Sequence, residues 1–345
     1  MSHIDTLNRK LISSIDEKYP SGLTDGKMGI CLYFYYLSFW KKNKEYKQVA
    51  EKLLYEISNR LSRSMDLSVE TGLAGISIGI SHLVTAKFVE GDINEILEDV
   101  DNRIYKHLVF LKNKELTHEK PELIHYLYYL NLRYAALSDA DDKFIFKELI
   151  IKTVEMFYFN LKDSFFNENS SFSAKNYQTP FFLYVMSKVC SLNIYNKRIE
   201  KIVEEFIGSI LSAIPISQAN RLYLLWGILH IKSHLPNFQD KINSHIYLLK
   251  ERIDVEHIIN VELKNQDIYL KDGISLVYIL LFSIQERFPE HKIDFCPKTI
   301  FKRIEDSEAW ESLLKREYYH SKRKGLLNGF PGAVLVLSHI KKNYT

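Results

Sequence analysis

Proline, glycine and cysteine are scarce in this chain of 345 residues, which contains 8 Pro, 13 Gly and 3 Cys. The small number of helix breakers, together with apolar residues that recur at helical spacing, favours helices over strands. The cysteines, Cys31, Cys190 and Cys296, are odd in number and far apart in the chain, which argues against a disulfide framework. None of them has a second Cys or a His at the spacing of a common zinc motif. The sequence therefore predicts an all-α chain without disulfides.

Long apolar runs and a strong charge of one sign are also lacking. No apolar run reaches the roughly 20 residues that a membrane-crossing helix needs, and the first residues show no signal-peptide pattern. The formal net charge of +3 is too small to indicate binding to nucleic acid or to a membrane surface. We therefore expect a cytoplasmic protein that binds no nucleic acid and does not insert stably into a membrane.

What the chain does contain is a repeated glycine phrase. Residues 22–30, 72–76 and 325–333 each hold a Gly-x-x-Gly turn that leads into an apolar stretch. Glycine allows a tight turn and lets the start of a helix pack closely against a neighbour. Amphipathic stretches lie between these phrases, for example residues 43–63. The pattern predicts inner helices that are apolar on most sides, alternating with outer helices that have one buried face.

The same alternation continues through the middle of the chain with degenerate turns. The first position of each turn falls at 26, 72, 126, 178, 224, 273 and 329, a step of 46 to 56 residues. A helix pair fits this step, so the spacing predicts seven helix-pair repeats in a single domain over residues 1–345. The last phrase is similar to the first, which favours a closed ring in which the first and last repeats touch.

Seven Gly-x-x-Gly-type turns, each leading into an inner helix, resemble the lanthionine synthetase C (LanC) family. The resemblance is most specific at residues 26–30, 72–76 and 325–332, and it implies an α/α toroid with inner and outer rings of helices. It also implies an active site at the ring centre, where the inner helices begin. Cyclases of this family hold one zinc ion through two cysteines and a histidine. The metal activates a peptide thiol that adds to dehydroalanine or dehydrobutyrine.

The chain departs from the family at these ligands. By the resemblance, Lys271 stands where one cysteine would be, Asp272 where the histidine would be, and Leu222 near the position of the other cysteine. We therefore predict that no residues serve as metal ligands and that the chain has no cofactor, although zinc is expected for the family. Glu122 takes the place of a family Asp in the third repeat, and Tyr177 that of a family His in the fourth.

The resemblance gives two sets of candidate site residues. The catalytic candidates are Glu122, Tyr177 and Asp272. The predicted binding cavity consists of residues at or near the repeat turns: Asp25, Arg221, Tyr223, Lys271, Asp272, His320 and Asn328. Simpler roles stay open for several of them. Asp25 could cap a helix or form an Asx turn, Lys271 and Asp272 could be a solvated pair, and His320 could be a hydrogen-bonded loop residue.

Three functions are compatible with this pattern. The first is maturation of a ribosomally synthesised peptide of the lanthipeptide type, as a peptide-binding accessory subunit or a metal-independent cyclase. Its partners would be the modified precursor peptide and a dehydratase. The second is a carbohydrate-active enzyme on an α/α toroid, which would use two carboxylates from Asp25, Glu122 and Asp272. The third is a non-catalytic interaction scaffold, a pseudoenzyme left after loss of the zinc ligands.

Overall fold

The computed structural model describes residues 2–61, 66–111, 120–167, 171–264 and 268–344, with the side chains of residues 2 and 120–122 outside the description. Within these ranges the chain forms helices and turns and no strand. The α-helices, in chain order, are α1 (Ser2–Ser14), α2 (Lys27–Lys41), α3 (Lys44–Ser58), α4 (Leu73–Thr85), α5 (Ile93–Phe110), α6 (Lys120–Ala136), α7 (Ala140–Asn160), α8 (Thr179–Ser191), α9 (Asn196–Glu205), α10 (Ile207–Ser212), α11 (Gln218–Ile231), α12 (Gln239–Glu251), α13 (Val255–His257), α14 (Ile274–Arg287), α15 (Pro297–Glu305), α16 (Ala309–Lys315), α17 (Glu317–Lys322) and α18 (Phe330–Tyr344). The predicted all-α class is confirmed.

Inner and outer helices alternate as the hydrophobic pattern predicts. The inner helix α2 is buried on all sides from Lys27 to Tyr35. The inner helix α4 is likewise buried on all sides from Leu73 to Ser77. The outer helix α3 buries a single face, formed by Tyr46, Ala50, Leu53 and Ile57 at steps of three and four residues. Asn43 caps α3, because its side chain accepts hydrogen bonds from two backbone amides of the first turn. This alternation of buried and amphipathic helices is that of an α/α toroid.

Most of the predicted turn positions lie where inner helices start. Positions 26, 72, 178, 273 and 329 each immediately precede the first residue of α2, α4, α8, α14 or α18. Positions 126 and 224 are wrong as turn positions, because both lie inside helices, α6 and α11. Neither position is marked by a glycine of its own, and α11 begins earlier, where Ser217 caps it by accepting a hydrogen bond from the Asn220 amide. Regular spacing placed the third turn too late in the chain. Gly227, taken as the second glycine of a degenerate Gly-x-x-Gly turn, placed the fifth turn too late.

The outer helical segment that follows α8 is divided into α9 and α10. The interruption falls at Phe206, whose ring packs on Phe166 with 5.1 Å between ring centroids. The segment still buries one apolar face, formed by Ile199, Ile202 and Val203 of α9 and Ile210 of α10.

The helices gather into two compact units. The first consists of Met1–Val100, Asn265–Tyr278 and Cys296–Thr345, and the second of Asp101–Lys264 and Ile279–Phe295. The first unit thus joins the beginning and the end of the chain. The single domain over residues 1–345 stays a prediction. None of the helices in the described ranges combines the length and the apolar character that crossing a bilayer requires.

Candidate functional site

Backbone hydrogen bonds join the turns of the first and second repeats within the first unit. The amides of Gly22, Leu23 and Asp25 donate to the carbonyl oxygens of Thr71, Val69 and Glu70 at 3.0, 3.1 and 3.3 Å. The helices α2 and α4, which follow these turns, pack against each other. Their N-terminal ends therefore lie side by side at one end of the unit.

The turns of the sixth and seventh repeats extend this arrangement. The Leu327 amide donates to the Thr24 carbonyl oxygen at 3.0 Å, and the Lys271 amide donates to the Leu327 carbonyl oxygen at the same distance. The helices α18 and α2 are also in contact. The last repeat therefore touches the first, as the similar glycine phrases predicted. The starts of α14, α18, α2 and α4 share one end of the first unit.

Asp25 and Asn328 meet at the junction of the first and last repeats. The amide group of Asn328 donates a hydrogen bond to the Asp25 carboxylate, and both side chains are partly exposed. The helix α2 begins after Gly26 without a side-chain cap, so the N-cap role considered for Asp25 is not what the structure shows. A side chain at Gly325 would collide with the Asp25 backbone and side chain, so glycine is needed here for the two turns to approach.

Lys271 and Asp272 lie at the sixth turn, and both side chains are partly exposed. Arg323 links this turn to the seventh repeat. Its guanidinium lies 4.3 Å from the Tyr269 ring centroid and donates to the Asn328 carbonyl oxygen at 3.1 Å. The structure therefore brings four of the predicted cavity residues, Asp25, Asn328, Lys271 and Asp272, to one end of the first unit. We call these four residues the turn surface.

His320 belongs to the same unit but lies in its interior. The side chain is 1% exposed, on the short helix α17, and its ring packs 6.1 Å from that of Phe330. Burial lowers the pKa of His320, and the nearby Lys10 and Lys324 lower it further. His320 therefore is a neutral histidine enclosed by packing near neutral pH, not an exposed member of the turn surface.

Four predicted site residues belong to the second unit: Glu122, Tyr177, Arg221 and Tyr223. Tyr177 and Tyr223 are buried, and their rings meet edge to face at a centroid distance of 6.3 Å. Burial raises the pKa of Tyr223. Arg221 is partly exposed and donates to the carbonyl oxygens of Pro215 and Arg252 at 2.5 and 3.1 Å. Its guanidinium therefore fixes the loops that flank the start of α11. The side chain of Glu122, the remaining catalytic candidate, lies outside the described residues.

A model of the family described as lanthionine synthetase C-like protein matches residues 17–207 of this chain. This span is more than half of the 345 residues. The chain belongs to the lanthionine synthetase C-like family. No curated protein matches it. The matched span of this LanC-like chain includes α2, α4, α6 and α8, whereas Arg221, Lys271 and Asp272 lie beyond it.

The zinc ion of LanC cyclases does not fit the residues of this LanC-like chain. Zinc sites of this kind need thiolate and imidazole ligands. At the positions that the resemblance assigns to them, Lys271 carries an ammonium group and Leu222 is a fully buried side chain without a donor atom. Across the five ranges that the structure describes, no group of three or more His, Cys, Asp or Glu side chains is placed to hold a metal ion.

Among the residues that the structure describes, none of the three cysteines belongs to a group of side chains that could hold zinc. Cys31 is buried and donates to the Ala50 carbonyl oxygen at 3.3 Å, and burial raises its pKa. Burial also raises the pKa of Cys190 to about 12, with a contribution from Glu200. Both thiols are therefore protonated near neutral pH when no metal is bound. Cys296 is exposed and precedes α15.

Sequence reasoning missed Glu262, which closes the N-terminal end of α11 in this LanC-like chain. Its carboxylate accepts from the Gln218 amide at 2.7 Å, from the Ala219 amide at 3.0 Å and from the Ser217 hydroxyl at 2.9 Å. A carboxylate at this end of a helix satisfies free amides and interacts favourably with the helix dipole. No local sequence pattern predicts this contact, because Glu262 follows the end of α11 by about thirty residues. Glu262 is the last residue of the π-helical segment Ile258–Glu262, which brings its carboxylate to the start of α11.

We expect Glu262→Ala to lower the free energy of unfolding by about 1–2 kcal/mol, the usual cost of removing a helix cap. The variant leaves three donors at the start of α11 without their acceptor. Urea denaturation measures the change. Glu251→Ala, which removes an exposed glutamate from the end of α12, is the control and should change stability by less than about 0.5 kcal/mol. Equal midpoints for the two variants would contradict the capping role.

Proposed function

We propose that this LanC-like chain binds a dehydrated precursor peptide at its turn surface, as a peptide-binding subunit in the maturation of a ribosomally synthesised peptide. The observation that carries the proposal is the hydrogen-bonded set of turns at which α14, α18, α2 and α4 begin. LanC cyclases act on their peptides at the end of the ring where the inner helices begin, and family membership connects this chain to that chemistry.

The charges of the turn surface support a binding role. By the resemblance, Lys271 places an ammonium group where the family has a zinc ligand, and Asp25 and Asp272 add carboxylates to the same turn surface. An ammonium group offers three donors to peptide carbonyl or carboxylate oxygens. Hydrogen bonds that involve a charged group contribute about 1.5–3 kcal/mol. The surface can therefore hold a peptide through polar contacts that need no metal.

The proposal is tested with a synthetic peptide that carries dehydroalanine and cysteine a few residues apart and has no acidic residue. We expect it to bind the purified chain in calorimetry, and Lys271→Ala to weaken binding by about tenfold or more, because the variant removes one charge-assisted contact. Lys302→Ala, which removes an exposed lysine from the outer helix α15, should bind like the natural chain. Absence of binding, or equal affinity for all three proteins, would refute the proposal.

Thiol titration of the same mixtures separates binding from ring formation. In the accessory role the bound peptide keeps its free cysteine, so thiol content and peptide mass both stay unchanged. Loss of the thiol at constant mass shows thioether formation, because the addition moves a hydrogen within the peptide and releases nothing. That result would replace the accessory role by that of a metal-independent cyclase.

A further inference from the structure

The inner helix α8 has one partly open face in the second unit. Between Thr179 and Cys190 every residue is buried except Phe181, Tyr184 and Lys188. These three are separated by three and four residues, so they lie along one side of the helix. The open side of this otherwise buried helix therefore carries two aromatic rings and an ammonium group that are partly accessible.

The neighbouring inner helix α11 continues this face. Trp226 and His230 are its partly open residues beyond the first turn, and they are four residues apart. The rings of Tyr184, Trp226 and His230 pack against one another at centroid distances of 4.8 to 4.9 Å. The Trp226 indole is held by a hydrogen bond of 3.0 Å to the Ser283 hydroxyl. The rings therefore form a fixed aromatic platform.

Two cations adjoin the platform. The Lys188 ammonium lies 5.4 Å from the Tyr184 ring centroid. Burial lowers the pKa of Lys188, and Arg287 at the end of α14 lowers it further. Burial also lowers the pKa of His230 to about 4, with contributions from Arg287 and Lys188. We call Tyr184, Lys188, Trp226, His230 and Arg287 the aromatic–cation surface.

The aromatic–cation surface contains no acidic side chain. Among the described residues neither Lys188 nor Arg287 forms an ion pair, whereas Arg133 and Arg198 in the same unit are paired with Asp101 and Glu155. Two like charges beside partly desolvated rings repel each other, and this repulsion is relieved when an anion lies between them. The surface is thus complementary to an anionic group that is attached to a flat or apolar one.

We propose that the aromatic–cation surface binds an acidic segment of a peptide, with a carboxylate between Lys188 and Arg287 and an aromatic side chain on the Tyr184–Trp226 platform. This inference rests on the proposed function for the choice of a peptide as the occupant. Phe181 and Lys188 are seven residues apart, which corresponds to about 10 Å along a helix. About three residues of an extended peptide span that length.

Two unlabelled synthetic peptides test the proposal, one of alternating Phe and Asp and one with Asn in place of Asp. We expect the Asp peptide to bind at least about tenfold more tightly in calorimetry, because only it carries the anions. Lys188→Met and Arg287→Met should each weaken its binding by about tenfold. Lys241→Met is the matched control, since Lys241 also lies over a ring, that of Phe238, at 5.8 Å but on the exposed outer helix α12. Equal affinities for the two peptides, or for all variants, would overturn the inference.

A second measurement locates the carboxylate. A bound anion offsets the charges of Lys188 and Arg287, so the pKa of His230 should rise on binding of the Asp peptide, as followed by NMR titration of the imidazole C–H signals. An unchanged His230 pKa in the saturated complex would show that the peptide binds elsewhere. Inorganic phosphate that binds as tightly as the Asp peptide would show a small-anion site and would also refute a peptide site.

The experiments can refute the aromatic–cation surface and the proposed function independently of each other. The dehydroalanine peptide has no acidic residue and its binding depends on Lys271, whereas the Phe–Asp peptide has neither dehydroalanine nor cysteine. Binding of the first without the second refutes only the aromatic–cation surface. Binding of the second without the first refutes the dehydrated-peptide function and leaves an acidic-peptide site.

Discussion

Asp101→Asn is expected to lower the free energy of unfolding by about 3–5 kcal/mol, because it removes one partner of a buried ion pair. The Arg133 side chain is 1% exposed and donates to the Asp101 carboxylate through Nε at 2.9 Å and Nη2 at 2.7 Å. The Tyr129 hydroxyl donates to the same carboxylate. Asparagine nearly keeps the shape of aspartate but leaves the guanidinium buried without its counter-charge. Urea denaturation followed by circular dichroism measures the loss.

Asp99→Asn on the same helix, α5, is the control. Asp99 is exposed, so its replacement should change the free energy of unfolding by less than about 0.5 kcal/mol. The double variant Asp101→Leu with Arg133→Met removes both charges and should recover much of the stability, since apolar replacements of buried ion pairs are often neutral. If Asp101→Asn unfolded at the same urea concentration as Asp99→Asn, the pair would contribute nothing to stability.

The repeat architecture was predictable because it rests on local chemistry. Glycine before α2, α4, α14 and α18 marks the turns directly, and the apolar content of the following helix separates inner from outer helices. The fifth turn was misplaced, although its signal is present in the sequence: Ser217 is a good N-cap residue three positions before Asn220. Gly227, which resembles the glycine of a degenerate turn, points instead to a later helix start.

The contacts within the site depend on residues far apart in the chain. The repeat pattern predicts that both Asp25 and Asn328 lie at turns. It does not predict their hydrogen bond, which joins residues 303 positions apart in the chain. The Glu262 cap of α11 likewise spans 44 positions to Gln218. The burial of His320 depends on how α17 packs near Phe330. Each of these contacts is set by tertiary packing, which hydrophobic periodicity does not encode.

Gly227→Ala is expected to destabilise the chain by about 2 kcal/mol, because it adds a methyl group where two inner helices touch. A Cβ atom at Gly227 would lie 2.6 Å from Pro180 Cα and 2.7 Å from its carbonyl oxygen. These are backbone atoms of α8, so the clash is relieved only if α8 and α11 move apart. The glycine that the sequence suggested for a turn therefore serves close packing of helices. Alanine also stabilises a helix by about 1 kcal/mol relative to glycine. The clash must therefore cost more than this for the variant to be less stable than the natural chain.

Gly208→Ala is the matched control with the opposite expected sign. Gly208 lies in the helix α10, and a Cβ atom there would have no neighbour within 4 Å. This variant gains the propensity of alanine without a clash and should be more stable by up to about 1 kcal/mol. The difference between the two variants in urea denaturation then measures the clash itself, free of propensity. If both variants were stabilised equally, α8 and α11 would be able to separate without cost. The close approach at Gly227 would then not be needed for the second unit to hold its inner helices together.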